Sequence, residues 1–344
     1  MKKWVVVAVM TAVMGLFWSC SDDDNSTNPT DDDPVSNFRT IEDAFYEWDG
    51  ASWSLSNKDN FTYTNERITS ISGFDEYDGN SSSIVTYDNS STKLPSEILI
   101  QDDSKQTPKS KYLFTYNDNK VAERLELEYN SGTFENKRKH SYEYDGNLLT
   151  KNITYRYESG SWENIFEDTW IYDSGRLIEH TCTSIWESEQ SKRVYSYSDG
   201  NLSEMVWYYW NAGWEIEFKD VYEYDNGKLS TKTTYDYESL IWEKSGKRVY
   251  EYSDDKLINY TKYEWDSNNS IWVNDWKVIY EYDINGNFIS HTWNAWNETQ
   301  SAFTPNEKSS FVYEDGHGNY IDIQKIFEPE DFFTSFSPSP IPTK

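Results

Sequence analysis

The sequence predicts an all-β protein built from tandem β-hairpins, laid side by side as a long coiled antiparallel meander, either a spiral or a wide barrel. Three observations lead there. A Tyr-x-Tyr-Asp segment recurs along the chain, an Asp/Asn/Gly corner follows each copy, and the residues between corners alternate with the two-residue period of a strand.

Taking the second tyrosine of each copy, Tyr116, Tyr144, Tyr172, Tyr197, Tyr224, Tyr252 and Tyr282 are clear members, and Tyr63, Tyr87 and Tyr313 are weaker ones. The steps between them run from 24 to 31 residues, most near 28. Each unit reads as a Tyr-rich segment, a corner, a Leu-led segment, and then a Trp or Phe in a polar loop. Phe134, Trp162, Trp186, Trp214, Trp242 and Trp272 fill that last slot. Two features recurring in phase define a tandem array.

In chain order, residues 1–19 combine a basic start at Lys2 and Lys3 with an apolar run from Trp4 to Phe17, the pattern of a secretion signal that is too short to span a bilayer. Leu16-Phe17-Trp18-Ser19-Cys20 resembles the lipobox of bacterial lipoproteins, which implies lipidation of Cys20. Ser21, Asp22, Asp23 and Asp24, directly after it, resemble the acidic export signal of Bacteroidetes-type surface lipoproteins. The resemblance implies an outer-membrane protein, lipid-anchored and exposed at the cell surface. Residues 20–37 carry Asp, Ser, Thr, Asn and Pro with little to bury, and read as a flexible acidic tether.

Residues 38–326 hold the hairpin repeats, about ten units. The array opens on a half unit, since Tyr46-Glu47-Trp48-Asp49 matches Tyr263-Glu264-Trp265-Asp266. The stretch from Ser70 to Leu99 is the most degenerate. Strands follow from alternation: Leu229, Thr231, Thr233, Tyr235 and Tyr237 share one side, with Lys232 and Asp236 on the other. Corners follow from Asp225-Asn226-Gly227-Lys228, where Asn and Gly supply the positive φ of a tight hairpin. About ten hairpins give roughly twenty strands, and a sheet that wide curls, splits or closes as its twist accumulates. A five-bladed propeller, with two repeats in each blade, is the alternative. A lipid-spanning barrel is disfavoured, because the face opposite the tyrosines carries Lys, Glu and Asp. Residues 327–344 form a Phe/Pro-rich tail in which Phe332, Phe333 and Phe336 are placed to cap the last hairpin.

Tyr-x-Tyr-Asp followed by Gly and Leu, in units of this length, resembles the YD repeats of the RHS family over roughly Asn60 to Tyr320. The resemblance implies β-hairpins in a spiralling sheet. It does not extend to toxin encapsulation, since the autoproteolytic core segment and toxin tip of the large RHS proteins have no counterpart here.

Composition bounds the chemistry. With 16 Trp and 28 Tyr among 344 residues, and few aliphatics, the core is expected to be built largely from rings. The abundance of rings argues against disorder despite a mean hydropathy of -0.87. A net charge of -29 opposes nucleic acid as a partner. No catalytic constellation, metal site or cofactor motif stands out. His140, His180, His291 and His317 fall in different repeats without metal-like spacing, and Cys182 reads as a buried thiol. The aromatic crowd Trp207, Tyr209, Trp210 and Trp214 is the set placed to stack a ligand, although alternation puts Trp207 and Tyr209 on one side of their strand and Tyr208 and Trp210 on the other. The expectation is a non-enzymatic structural or binding scaffold, its partners the membrane through the lipid anchor and a glycan or surface protein. The alternative is a carbohydrate-binding or polysaccharide-processing accessory that uses exposed Trp and Tyr rings.

Overall fold

The computed structural model describes residues 40–313 apart from 65–66, 76–78, 88–94, 103–106, 119 and 285. The signal, the tether and the Phe/Pro-rich tail lie outside the described residues. Twenty strands belong to one sheet, and the first strand pairs with the last as well as with the second. The meander therefore closes on itself, where an open spiral would leave its two end strands unpaired. The propeller alternative fails on the same observation, because blades would interrupt the sheet every four strands.

The chain packs as two compact units. One holds the described residues up to Lys137, with Tyr282–Ser290 and those from Lys308; the other holds Arg138–Glu281 and His291–Glu307. The first unit contains β1 (Thr40–Trp48), β2 (Trp53–Thr64), β3 (Arg67–Asp75), β4 (Gly79–Thr86), β5 (Glu97–Asp102), β6 (Thr107–Asn117) and β7 (Lys120–Asn130). Each pairs antiparallel with the next. β8 (Thr133–Asp145) has residues in both units, as do β18 (Ile271–Tyr282), β19 (Phe288–Asn297) and β20 (Ala302–Tyr313). The second unit contains β9 (Leu148–Glu158), β10 (Ser161–Asp173), β11 (Arg176–Ser184), β12 (Glu189–Ser198), β13 (Asn201–Trp210), β14 (Trp214–Asp225), β15 (Lys228–Glu238), β16 (Ile241–Ser253) and β17 (Lys256–Asp266). Its strands also pair antiparallel in sequence order.

The corners that follow Tyr144, Tyr172, Tyr197, Tyr224 and Tyr252 are two-residue hairpins. Asp225 pairs with Lys228, and the residues between them, Asn226 and Gly227, have φ of 52° and 78°. Positive φ at both central positions is the type I′ geometry, which matches the twist of the flanking strands. One step in from the corner the register shifts: Glu223 faces Thr231 while Tyr224 faces Leu229, which leaves Ser230 as an extra residue. The same bulge sets Tyr144 opposite Leu149, Tyr172 opposite Leu177, Tyr197 opposite Leu202 and Tyr252 opposite Leu257. Where the extra residue is Ser or Thr, its hydroxyl donates to the carbonyl beside it, as Ser230 does to Glu223 O at 3.0 Å, Ser203 to Ser196 O at 3.0 Å and Thr150 to Glu143 O at 3.1 Å. An irregularity of this kind is a built feature of the sheet.

The bulge also corrects the expected faces of β15. Lys232, placed by simple alternation on the side away from Leu229, is 5% exposed and pairs with Asp220. The core differs from expectation as well. In the first unit it is mainly aliphatic, with Ile68, Ile71, Val85, Ile98 and Ile100 around Phe61 and Tyr112. In the second, Leu149, Trp170 and Leu177 pack with Tyr142, Tyr172 and Tyr195, which is closer to the ring-built core expected.

Candidate functional site

Tyrosine hydroxyls of the repeat bond across neighbouring hairpins. Tyr172 Oη donates to Leu149 O at 3.0 Å, and Tyr197 Oη to Leu177 O at 2.9 Å. In the first unit Tyr87 Oη reaches Ile68 O at 3.1 Å and Tyr116 Oη reaches Pro95 O at 2.6 Å. Leu149 and Leu177 are the residues that the preceding tyrosines, Tyr144 and Tyr172, face across their bulges. Each phenol thus fastens its own hairpin to the hairpin before it. Burial pushes Tyr172 and Tyr197 up to about 12, so both stay protonated donors at neutral pH.

A second device recurs on the opposite face. Lys219 Nζ, on β14, lies 2.9 Å from Glu204 Oε2 on β13, 5.8 Å from the Tyr235 ring on β15 and 4.8 Å from the Trp242 ring on β16. Lys192 repeats the diagonal with Glu179, Tyr208 and Trp214, at 3.6, 5.3 and 4.8 Å. Lys139 and Lys247 sit over Tyr155 and Trp162, and over Tyr263 and Trp272, in the same register. In the first unit Lys111 joins Glu97 to Phe134. Each such ammonium over a ring contributes about 0.5–1 kcal/mol at exposed sites.

The ring at the end of each diagonal was expected in a polar loop. Phe134, Trp162, Trp214, Trp242 and Trp272 instead lie in the opening residues of strands, each against an aromatic of the strand before. Tyr129–Phe134, Tyr157–Trp162, Trp210–Trp214, Tyr237–Trp242 and Trp265–Trp272 have centroids 5.1, 5.0, 5.3, 4.8 and 4.9 Å apart. Cross-strand aromatic pairs stabilise a hairpin where its strands meet the turn. Trp186 is the exception, in the loop between β11 and β12.

The expected stacking set separates accordingly. Trp207 stacks on Phe218 at 5.3 Å, and Tyr209 Oη donates to Glu215 Oε2 at 2.5 Å. Trp210 and Trp214 form their corner pair on the other face of β13, 45% and 36% exposed. The four do not converge on one site. Cys20 and Ser21, Asp22, Asp23 and Asp24 lie outside the described residues.

The buried face of the second unit also carries polar and charged side chains. Asp168 accepts from Asn152 Nδ2 at 3.4 Å and lies 3.1 Å from His180 Nε2, while Trp170 stacks on His180 with centroids 5.0 Å apart. His140 Nδ1 is 3.1 Å from Thr154 Oγ1, and Lys232 pairs with Asp220 at 2.9 Å. Burial and the neighbouring Asp168 carboxylate push the Cys182 thiol up to about 12, which keeps it protonated and a poor nucleophile. Among the described residues no group of three His, Cys, Asp or Glu side chains is arranged to hold a metal ion. His317 lies outside the described residues.

Residues 216–315 match a family of unknown function, DUF3836. No curated protein matches the chain. Among solved structures, a protein of unknown function from Bacteroides fragilis NCTC 9343 is 19% identical over 37% of this chain and 94% of its own, with a TM-score of 0.33. A DUF3836 family protein from Parabacteroides distasonis ATCC 8503 is 21% identical over 28% of this chain and 89% of its own, with a TM-score of 0.25. A porin-like protein from Bacteroides uniformis ATCC 8492 is 7% identical over 80% of this chain and 96% of its own, with a TM-score of 0.34. At such scores none of these likenesses bears on function.

The phenol links and the Trp186 exception went unread in the sequence. A signal for Trp186 was present: its slot lacks the aromatic found five residues earlier at Tyr157 and Tyr237, where Thr181 stands instead.

Proposed function

We propose that the chain is a non-enzymatic surface lipoprotein of the outer membrane, anchored through an acylated Cys20 and lifted from the lipid by its acidic tether, with the hairpin array as a structural or binding scaffold. One observation carries the scaffold reading. The recurring diagonals and phenol links engage the lysines, tryptophans and tyrosines with one another, so the groups most able to hold a ligand serve to join hairpins. The anchor and the address rest on the lipobox-like residues and the acidic run after them. Metabolic labelling with a fatty-acid probe tests this in the full chain, together with protease accessibility on intact cells. Label on the parent, its loss in Cys20→Ala, and cleavage from outside the cell are expected. An unlabelled parent, an equally labelled variant or a protected chain would overturn the reading.

A second reading is favoured by the exposure of Trp210 and Trp214, the most open corner pair of the diagonals. As a glycan-stacking accessory, the chain would show a saturable, glycan-dependent change in acrylamide quenching that Trp210→Ala and Trp214→Ala both abolish.

A further inference from the structure

Arg138 and Arg156 stand directly opposite each other in the β8–β9 ladder. Like charges in that position destabilise an antiparallel pair. With 60 Asp and Glu against 31 Lys and Arg, the chain has carboxylates to spare, yet Arg138 is exposed and no described residue pairs with it. Arg156 is only partly engaged. Glu158 Oε1 lies 2.9 Å from its Nε, yet neither that buried Nε nor the buried Nη2 has a hydrogen-bond partner.

Over that guanidinium lies Trp186, its ring centroid 3.9 Å from Arg156 Cζ. The ring is 62% exposed and the adjoining Ile185 46%. Their loop is held in place: Ile185 N donates to Ile165 O at 2.9 Å, and Glu187 N to Ser184 Oγ at 3.3 Å. Trp186 is thus the one ring of the repeated slot that lies in a loop and not against an aromatic of the strand before, and it faces solvent beside two arginines that the fold does not pair with each other.

We propose that Arg138, Arg156 and Trp186 form a binding site for a carboxylate-bearing sugar, a uronic acid unit of a glycan. The exposed Arg138 guanidinium offers the paired N–H groups that take a carboxylate through charge-assisted bonds, and the Arg156 charge beside it adds to the attraction. The indole and Ile185 offer a flat apolar surface for the C–H face of a pyranose. Glu158, and Glu163, which faces Arg156 across β9 and β10, supply acceptors for sugar hydroxyls. An acidic peptide fits less well, because it brings more carboxylates against those two glutamates and has no array of hydroxyls to satisfy them. This site goes beyond the scaffold reading and does not depend on the anchor.

Calorimetric titration of the full chain with an oligogalacturonate, its methyl ester and an oligoglutamate peptide tests the proposal. Binding of the oligogalacturonate is expected, weakened about tenfold or more by methyl esterification, by Arg138→Gln and by Trp186→Ala, since each change removes a charged or stacking contact. Arg138 is exposed, so its variant keeps the fold and reads the site alone. Absence of binding, equal affinity for acid and ester, unchanged affinity in Arg138→Gln, or tighter binding of the peptide would each overturn it.

Discussion

At Tyr172 and Tyr197 the difference between tyrosine and phenylalanine is a hydrogen bond to a carbonyl of the previous hairpin. That carbonyl belongs to a leucine beside a bulge, where the regular ladder is interrupted and an acceptor is otherwise left over. The repeat therefore keeps Tyr, Asp, Leu and often Ser or Thr in fixed phase, each for a separate reason. Leu240 is a residue out of place in this scheme. It is 83% exposed and adopts φ of 68° in the corner between β15 and β16, where Gly160 stands in the corner between β9 and β10. A left-handed conformation costs a residue with a Cβ about 1–2 kcal/mol. Leu240→Gly is accordingly expected to raise the free energy of unfolding by about 1 kcal/mol, measured by denaturant titration; a loss of stability would show that the leucine makes a contact worth more than the strain.

At the scale of the hairpin, the sequence made the corners legible and hid the registers. Asn226-Gly227 announces a type I′ turn because few other pairs tolerate positive φ twice over. A bulge has no such signature. Ser230 looks like any polar strand residue, yet its insertion turns Lys232 inward to meet Asp220. The slot rings illustrate the same limit. Trp162 follows the polar run Glu158-Ser159-Gly160-Ser161 and so reads as loop, whereas its cross-strand partner Tyr157 draws it into a strand, as Tyr237 draws Trp242. Of the expected stacking set, the split of Trp207 and Tyr209 from Trp210 was visible in the alternation. The Arg156–Trp186 stack was not, because it joins β9 to a loop two strands further on, and no local pattern encodes that.

At the scale of the whole molecule, two compact units carry different interiors, and one carries a built-in pH dependence. Asp43 and Asp59 face each other across β1 and β2. Burial, and then the Asp59 charge, raise Asp43 from 3.8 to about 7; burial, and then the Asp75 charge, raise Asp59 to about 6. A carboxyl whose folded pKa lies above its unfolded value stabilises the fold while protonated. That contribution is complete below the unfolded value and is lost as pH rises through 6 and 7. The first unit is expected to melt at a higher temperature at pH 5 than at pH 8, and Asp43→Asn to raise the melting temperature at pH 8 more than at pH 5. A parent whose melting temperature climbs from pH 5 to pH 8, or a variant without effect at pH 8, would contradict this.

Neighbouring hairpins are fastened by the hydroxyl of the second tyrosine of the repeat at Tyr87, Tyr116, Tyr172 and Tyr197. Equilibrium unfolding of Tyr172→Phe and Tyr197→Phe, singly and combined, tests it most directly, since phenylalanine keeps the ring and removes only the donor. Each substitution is expected to lower stability by about 1 kcal/mol and the pair by about 2 kcal/mol. Unfolding midpoints equal to or above that of the parent would show that the rings alone hold the hairpins together.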